Sequence, residues 1–167
     1  MRLRWALAIA AFVLLLDQGT KAWIVATTPF GSEREVIPGL FRLVHTRNRG
    51  IAFGLLGSSG PAVQVALLLV VILIVLMVVR QLARSGQDAL PTAGLALILG
   101  GAVGNLVDRL VRGEVVDFLL AYVRISGREH AWPAFNVADS AISVGAGCVI
   151  LAEIIAAVRH KRVASTD

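Results

Sequence analysis

The sequence is short of most things a small soluble protein relies on. It has a single cysteine, Cys148, which excludes an internal disulfide framework and a cysteine-built zinc site. Its three histidines, His45, His130 and His160, are isolated, so no H-E-x-x-H metalloprotease motif exists. Charged residues make up 16% of the chain, where a soluble domain carries about 25%. No internal repeat or low-complexity run is present, which removes solenoids and disordered segments from consideration.

What fills the 167 residues is apolar: 57% of them, with a mean hydropathy of +0.79. A chain of this size cannot bury so much apolar surface in its own interior. Its solvent must be lipid. The net charge of +5 would suggest nucleic acid in a soluble protein. Here the basic residues flank apolar runs, as Arg2/Arg4, Arg80/Arg84 and Arg159/Lys161/Arg162, without a basic stripe of interleaved aromatics. Anionic lipid headgroups, not nucleic acid, are the matching partner.

Four long apolar segments, at about 5–27, 61–79, 89–107 and 137–158, approach the roughly 20 residues that a spanning helix needs. The first resembles a signal peptide at its start. However, Asp17-Gln18-Gly19-Thr20-Lys21 and a second apolar stretch follow without an A-x-A site, so it is read as a retained helix. Basic density in the short flanks places both termini and the 80–88 linker in the cytoplasm. The longer connections, 28–60 and 108–136, then lie on the outer face. Leu40-Phe41-Arg42-Leu43-Val44-His45 follows a Pro38-Gly39 turn and predicts a short strand; Val115–Leu120 reads as strand-like or as a short interfacial element. The fold class is therefore an all-α membrane protein: one integral domain over 1–167, four transmembrane helices and a small extracytoplasmic β platform.

Ionisable side chains inside spanning helices cost about 2.5–3.5 kcal/mol on insertion scales, so they face a partner or a water-filled cavity. Asp17 and Lys21, four apart, predict a local ion pair near the outer interface, with Lys21 snorkelling to the headgroups. The third segment ends in Gly100-Gly101-Ala102-Val103-Gly104-Asn105-Leu106-Val107-Asp108-Arg109. Its small residues allow close helix approach, and Gly101, Asn105 and Asp108 share one face. Arg109 and Arg112 read equally well as interfacial anchors. Asp117 is an acid flanked by apolar residues, and Asp139 opens the fourth helix behind Asn136. Taken singly, Asn136 is a helix cap and Asp139 a first-turn acid favoured by the helix dipole. Glu153 lies deeper in that helix and reads as structural.

Taken together, Asn48, Asn105, Asp108, Arg109, Asp117, Asn136 and Asp139 gather at one face of the membrane from four places in the chain. Two carboxylates close together in a poorly solvated site share a proton. One takes a proton from water while the other donates to a carbonyl, the logic of aspartic proteases. This chemistry needs no metal, nucleotide or cofactor, and chelators should leave it unaffected.

Five motifs, in order, resemble the lipoprotein signal peptidases, the type II signal peptidases of bacteria: Asp17-Gln18-Gly19-Thr20-Lys21, Asn48-Arg49-Gly50-Ile51-Ala52-Phe53-Gly54, Gly104-Asn105-Leu106-Val107-Asp108-Arg109, Val116-Asp117-Phe118 and Phe135-Asn136-Val137-Ala138-Asp139. The resemblance implies an intramembrane aspartyl endopeptidase of the bacterial inner membrane, working as a monomer near the outer face. Its substrates would be prolipoproteins, cut before the diacylglyceryl-modified cysteine of the lipobox. By position, the catalytic pair falls on Asp117 and Asp139. Asn48, Gly50, Asn105, Asp108, Arg109, Asn136, Asp17 and Lys21 fall on supporting or substrate-binding positions. The segment between Asp117 and Phe135, which contains 126–133, is longer than the resemblance leads one to expect.

Other classes are weaker matches. A proton-coupled transporter or assembly factor would want acids strung across the bilayer, whereas these gather at one face. A Ser–Lys protease would pair Lys21 with Ser140 or Ser143. A purely helical scaffold leaves the polar cluster unexplained.

Overall fold

The computed structural model describes residues 2–50, 60–84 and 88–164. The motif residues Ile51 to Gly54 and positions 85–87 of the short linker lie outside them. Four helices are α1 (Arg2–Thr27), α2 (Pro61–Arg84), α3 (Ala89–Val111) and α4 (Val137–Ala164). Each contains a stretch long and apolar enough to cross a bilayer. Every helix runs beyond the segment predicted from hydropathy, because its end turns carry polar side chains that the apolar pattern does not count.

Between helices lie four strands: β1 (Glu33–Ile37), β2 (Phe41–Asn48), β3 (Val115–Ile125) and β4 (Arg128–Ala131). They pair antiparallel in the order β1-β2-β3-β4. The strand predicted after the Pro38-Gly39 turn is β2, and 115–120, strand-like or interfacial by sequence, opens β3; both strands run further than the sequence indicates. β1 and β4 are additions to the predicted platform, since their exposed, charge-rich sequences (Glu-Arg-Glu-Val-Ile and Arg-Glu-His-Ala) lack alternation. The Ile37-Pro38-Gly39-Leu40 turn closes through Leu40 N–H donating to Ile37 O at 3.0 Å, with Gly39 at φ +77°. Pro then Gly at its centre suits a type II turn.

α3 is the central helix and packs against α1, α2 and α4. Its glycines explain how. A β-carbon on Gly100 would lie 2.6 Å from the Ala10 carbonyl oxygen of α1. One on Gly94 would lie 2.7 Å from the Gly145 carbonyl oxygen of α4, and Gly145 meets the Gly94 carbonyl in return. Gly101 presses on the Ala138 carbonyl. The small-residue pattern read from the sequence is therefore two seams, one to each neighbour. α2 lacks such a seam: Val78 and Leu82 are its buried residues, clustered with Ala6, Ala10, Ala96 and Leu99.

At the opposite end of the bundle, Ile24 of α1 packs with Val116 and Phe118 of β3. Gly113, at φ +75°, turns the chain out of α3 into β3, the left-handed conformation common just past helix ends. The sheet, the C-terminal ends of α1 and α3, and the start of α4 thus meet at one end. The N-terminal half of α1, the C-terminal end of α2 and the N-terminal half of α3 cluster toward the other.

Replacing Gly101 with valine must force α3 and α4 apart. Thermal unfolding in detergent should show a loss of about 1–3 kcal/mol for Gly101→Val. Gly147, whose β-carbon would meet nothing within 4 Å, is the control: Gly147→Ala should be neutral or stabilise by about 0.5–1 kcal/mol.

Candidate active site

One short pairing brings the two distant aspartates together. Phe135 N–H donates to Leu119 O at 2.8 Å, and Leu119 N–H donates to Phe135 O at 2.8 Å. This antiparallel bridge fixes the entry of α4 beside β3, two residues from Asp117 and one from Asn136. Asp117 and Asp139 then line the same cavity of about 540 Å³, with Asn48, Asn105, Arg109 and Ser143 also in its wall.

Asn136 ties the pair. Its Nδ2 donates to Asp117 Oδ1 at 2.7 Å, and its backbone N–H donates to Asp139 Oδ2 at 3.2 Å. Its side-chain oxygen accepts from Asp139 N–H at 2.9 Å. The reciprocal bonds between Asn136 and Asp139 form a capping box with aspartate at the third helical position. Cap and site are the same residues, so the two readings of this segment are compatible. Asn105 reaches the pair from α3, its Nδ2 donating to Asp139 Oδ1 at 2.8 Å. Asn48 hydrogen-bonds Asp117 from β2.

Burial pushes the Asp117 carboxyl up from 3.8 to about 7, helped by the nearby Asp139 charge and opposed by the Asn48 and Asn136 hydrogen bonds. Near neutral pH this group therefore holds a proton about half the time.

Behind the pair is a second, fully buried cluster. Lys21 Nζ lies 2.8 Å from Asp17 Oδ2 and 2.9 Å from Asp108 Oδ2, and donates to Asn105 Oδ1 at 3.0 Å. The predicted Asp17–Lys21 pair exists, but its predicted setting is wrong. Lys21 does not snorkel to the headgroups: it is 0% exposed, because three oxygens from α1 and α3 satisfy all its protons inside the bundle. Asp17 Oδ1 accepts from Ala138 N–H at 3.0 Å, satisfying a first-turn amide of α4. Asp108 is bound by Arg112 and takes Val116 N–H at 3.2 Å. Arg109 donates to Gly50 O at 2.9 Å and to Asn105 O at 3.2 Å. Neither arginine is a simple interfacial anchor.

A second cavity of about 900 Å³ opens on the sheet side, lined by Phe30, Arg47, Arg49, Glu114 and others. It shares Asn48, Asp117, Pro133 and Ala134 with the first, so the two meet at Asp117. Arg47 and Arg49 converge on Glu114 at 2.7 and 3.2 Å and hold its carboxyl below the usual range.

All ten residues singled out from the sequence thus fall within the two clusters or their direct hydrogen-bond partners. Gln18 belongs to the first motif but has no role in the sequence reading; it donates to Asp17, Asp108 and the Gly104 carbonyl. Thr46 and Ser143 line the cavities, and the sequence reading gives neither a place among the aspartates. For Ser143 the available signal is its i+4 spacing from Asp139, and for Thr46 its place opposite Asp117 in the sheet is visible only once strands pair. Ser140 does not form a dyad with Lys21: its hydroxyl donates to Asn136 O at 2.9 Å. Among the described residues no group of three His, Cys, Asp or Glu is arranged to hold a metal ion.

A family model described as signal peptidase (SPase) II matches residues 9–155. A lipoprotein signal peptidase of Nitratidesulfovibrio vulgaris (strain DP4) is 47% identical over 148 residues, 87% of each chain. One from Solibacter usitatus (strain Ellin6076) is 41% identical over 167 residues, covering 98% of this chain and 96% of that one. Among solved structures, a bacterial membrane enzyme determined by the in meso method at 2.3 Å superposes with a TM-score of 0.77 at 33% identity, covering 89% of this chain and 87% of the other.

Because Asp117 binds its proton more tightly folded than unfolded, it favours the folded state less as pH rises from 3.8 to about 7. Stability should therefore decline across that window. In Asp117→Asn this part of the decline should disappear, which thermal melts at several pH values will show. Difference infrared spectra should place the carboxyl titration removed by the same substitution near pH 7.

Proposed function

The chain belongs to the signal peptidase II family, and on that footing we propose that Asp117 and Asp139 are the catalytic pair of an aspartyl endopeptidase. It is a multi-pass membrane protease that removes signal peptides from prolipoproteins. The observation that carries the assignment is that two carboxylates, from β3 and α4, line one cavity and are bridged by one residue, Asn136.

In the proposed reaction Asp117 holds the shared proton and Asp139 is ionised. Asp139 takes a proton from a water molecule whose oxygen attacks the scissile carbonyl carbon, while Asp117 protonates the carbonyl oxygen. The gem-diol then collapses: the C–N bond breaks, the proton on Asp139 passes to the leaving amine, and a hydroxyl proton returns to Asp117. Acid–base work of this kind contributes about 10²–10⁴-fold. Arg109 and Asn105 hold the floor of the site; Asp17, Lys21 and Asp108 support it from behind.

Both chain termini are assigned to the cytoplasm and the sheet to the outer face, in keeping with the basic flanks. The signal helix enters sideways from the bilayer, and the lipobox unwinds across Asp117 and Asp139. The diacylglyceryl chains stay in lipid. Such anchoring holds the scissile bond in place and lowers the entropic cost of attack. Working alone as a monomer, the enzyme needs no partner beyond this substrate and the surrounding lipid.

Asp117→Asn and Asp139→Asn should each leave an inserted, folded protein whose cleavage rate falls at least about 10²-fold. Purified enzyme should cut a diacylglyceryl-modified precursor and spare its unmodified twin. Near-normal cleavage by either variant would refute the pair, and equal cleavage of both precursors would refute the role given to the lipid.

A further inference from the structure

Lys21 is fully buried, yet the reaction proposed above does not use it. Its three ammonium protons meet three oxygens: Asp17 Oδ2 at 2.8 Å, Asp108 Oδ2 at 2.9 Å and Asn105 Oδ1 at 3.0 Å. The third contact bears on the chemistry. A primary amide has one accepting end and one donating end. Turning Asn105 over would set its NH₂ group against the ammonium, donor against donor in a buried setting, and would leave the amide oxygen facing the Asp139 carboxylate. With its oxygen on Lys21, Asn105 must present Nδ2 to Asp139 Oδ1, at 2.8 Å. Asn136 Nδ2 approaches the same Asn105 oxygen at 3.3 Å, a longer contact from a group already committed to Asp117 at 2.7 Å.

We infer that Lys21 is a positioning residue for peptide hydrolysis: its ammonium fixes the orientation of the Asn105 amide, and so keeps a hydrogen-bond donor on Asp139. The inference rests on Asp139 being half of the catalytic pair. It predicts that Lys21 affects turnover through Asn105, beyond its part in holding α1 to α3.

Removing Lys21 alone strands Asp17 as a buried charge without a cation, so Lys21→Met is the wrong test. Combining Lys21→Met with Asp17→Asn keeps the cluster balanced, since Asp108 retains Arg112 and the carboxamide introduced by Asp17→Asn can still accept from the Ala138 N–H. This pair should lower kcat by about 10- to 100-fold, as expected for losing one hydrogen bond to a charged group, with KM within about twofold. In an Asn105→Ala background the same pair should lower kcat by less than about threefold, because the donor is already gone. Gln18→Ala loosens the same two carboxylates without touching Asn105. It should lower the melting temperature while leaving kcat within about threefold.

Multiplicative effects of the Lys21/Asp17 pair and Asn105→Ala, or a kcat loss in Gln18→Ala equal to that of the pair, would overturn the inference. Asn105→Asp gives a second test that does not depend on the pair folding. It keeps an acceptor for Lys21 but has no donor for Asp139, so kcat should fall about 10- to 100-fold in a folded protein; wild-type turnover would again overturn the inference. Asp117→Asn and Asp139→Asn, assayed alongside, test the catalytic pair separately.

Discussion

Charges placed among these helices have to be answered inside the protein, because lipid offers no counter-ion and no hydrogen bond. That constraint organises the functional end of the bundle. Asp17, Lys21, Asp108 and Arg112 neutralise one another across α1 and α3, and Gln18 occupies lone pairs left on the two carboxylates. A buried pair of this kind contributes little net stability, but removing one member is costly, by about 3–5 kcal/mol. The cluster therefore acts less as glue than as a fixed reference. Once α1 and α3 are locked in register by charge, Gly104 sits against Asp17, and Asp17 in turn accepts an amide of α4. The position of Asp139 is inherited from that chain of contacts.

The side proposed to carry the reaction obeys a different rule. Asp117 and Asp139 are held by amides of Asn48, Asn105 and Asn136 and have no salt-bridge partner among the described residues. Amide donors orient a carboxyl group without supplying a full counter-charge, which suits the proton exchange proposed for the pair. In the Lys21 cluster, by contrast, each carboxylate has a cation in contact, which matches the division proposed above between supporting charges and a pair that exchanges a proton.

Much of this is legible in the sequence, for definable reasons. Spanning helices are read from long-range hydropathy, and the polar interruptions Asp17, Asn105, Asp108 and Asp139 stand out against it because each is costly in lipid. The Pro38-Gly39 turn and the strand after it carry local chemistry that needs no partner. By contrast, β1 and β4 are strands only because β2 and β3 offer them an edge, so their own residues give no signal. The depth of Lys21 escapes a reading of α1 alone: spacing along the helix shows that Asp17 is near, whereas burial depends on Asp108 and Asn105, 87 and 84 positions away. The bridge between Leu119 and Phe135, which sets the aspartates side by side, is likewise a pairing between segments that no periodicity announces.

The glycine seams give the bundle a stiff side and a compliant side. Along α1–α3 and α3–α4, backbone lies on backbone, so those helices cannot rotate or slide without atoms colliding. α2 meets α3 through aliphatic side chains such as Val78 and Leu82 against Ala96 and Leu99, which tolerate small displacements at little cost. In this membrane protein Asn105 and Asp139 thus stand on the tightly seamed α1–α3–α4 unit, and α2 packs outside those seams.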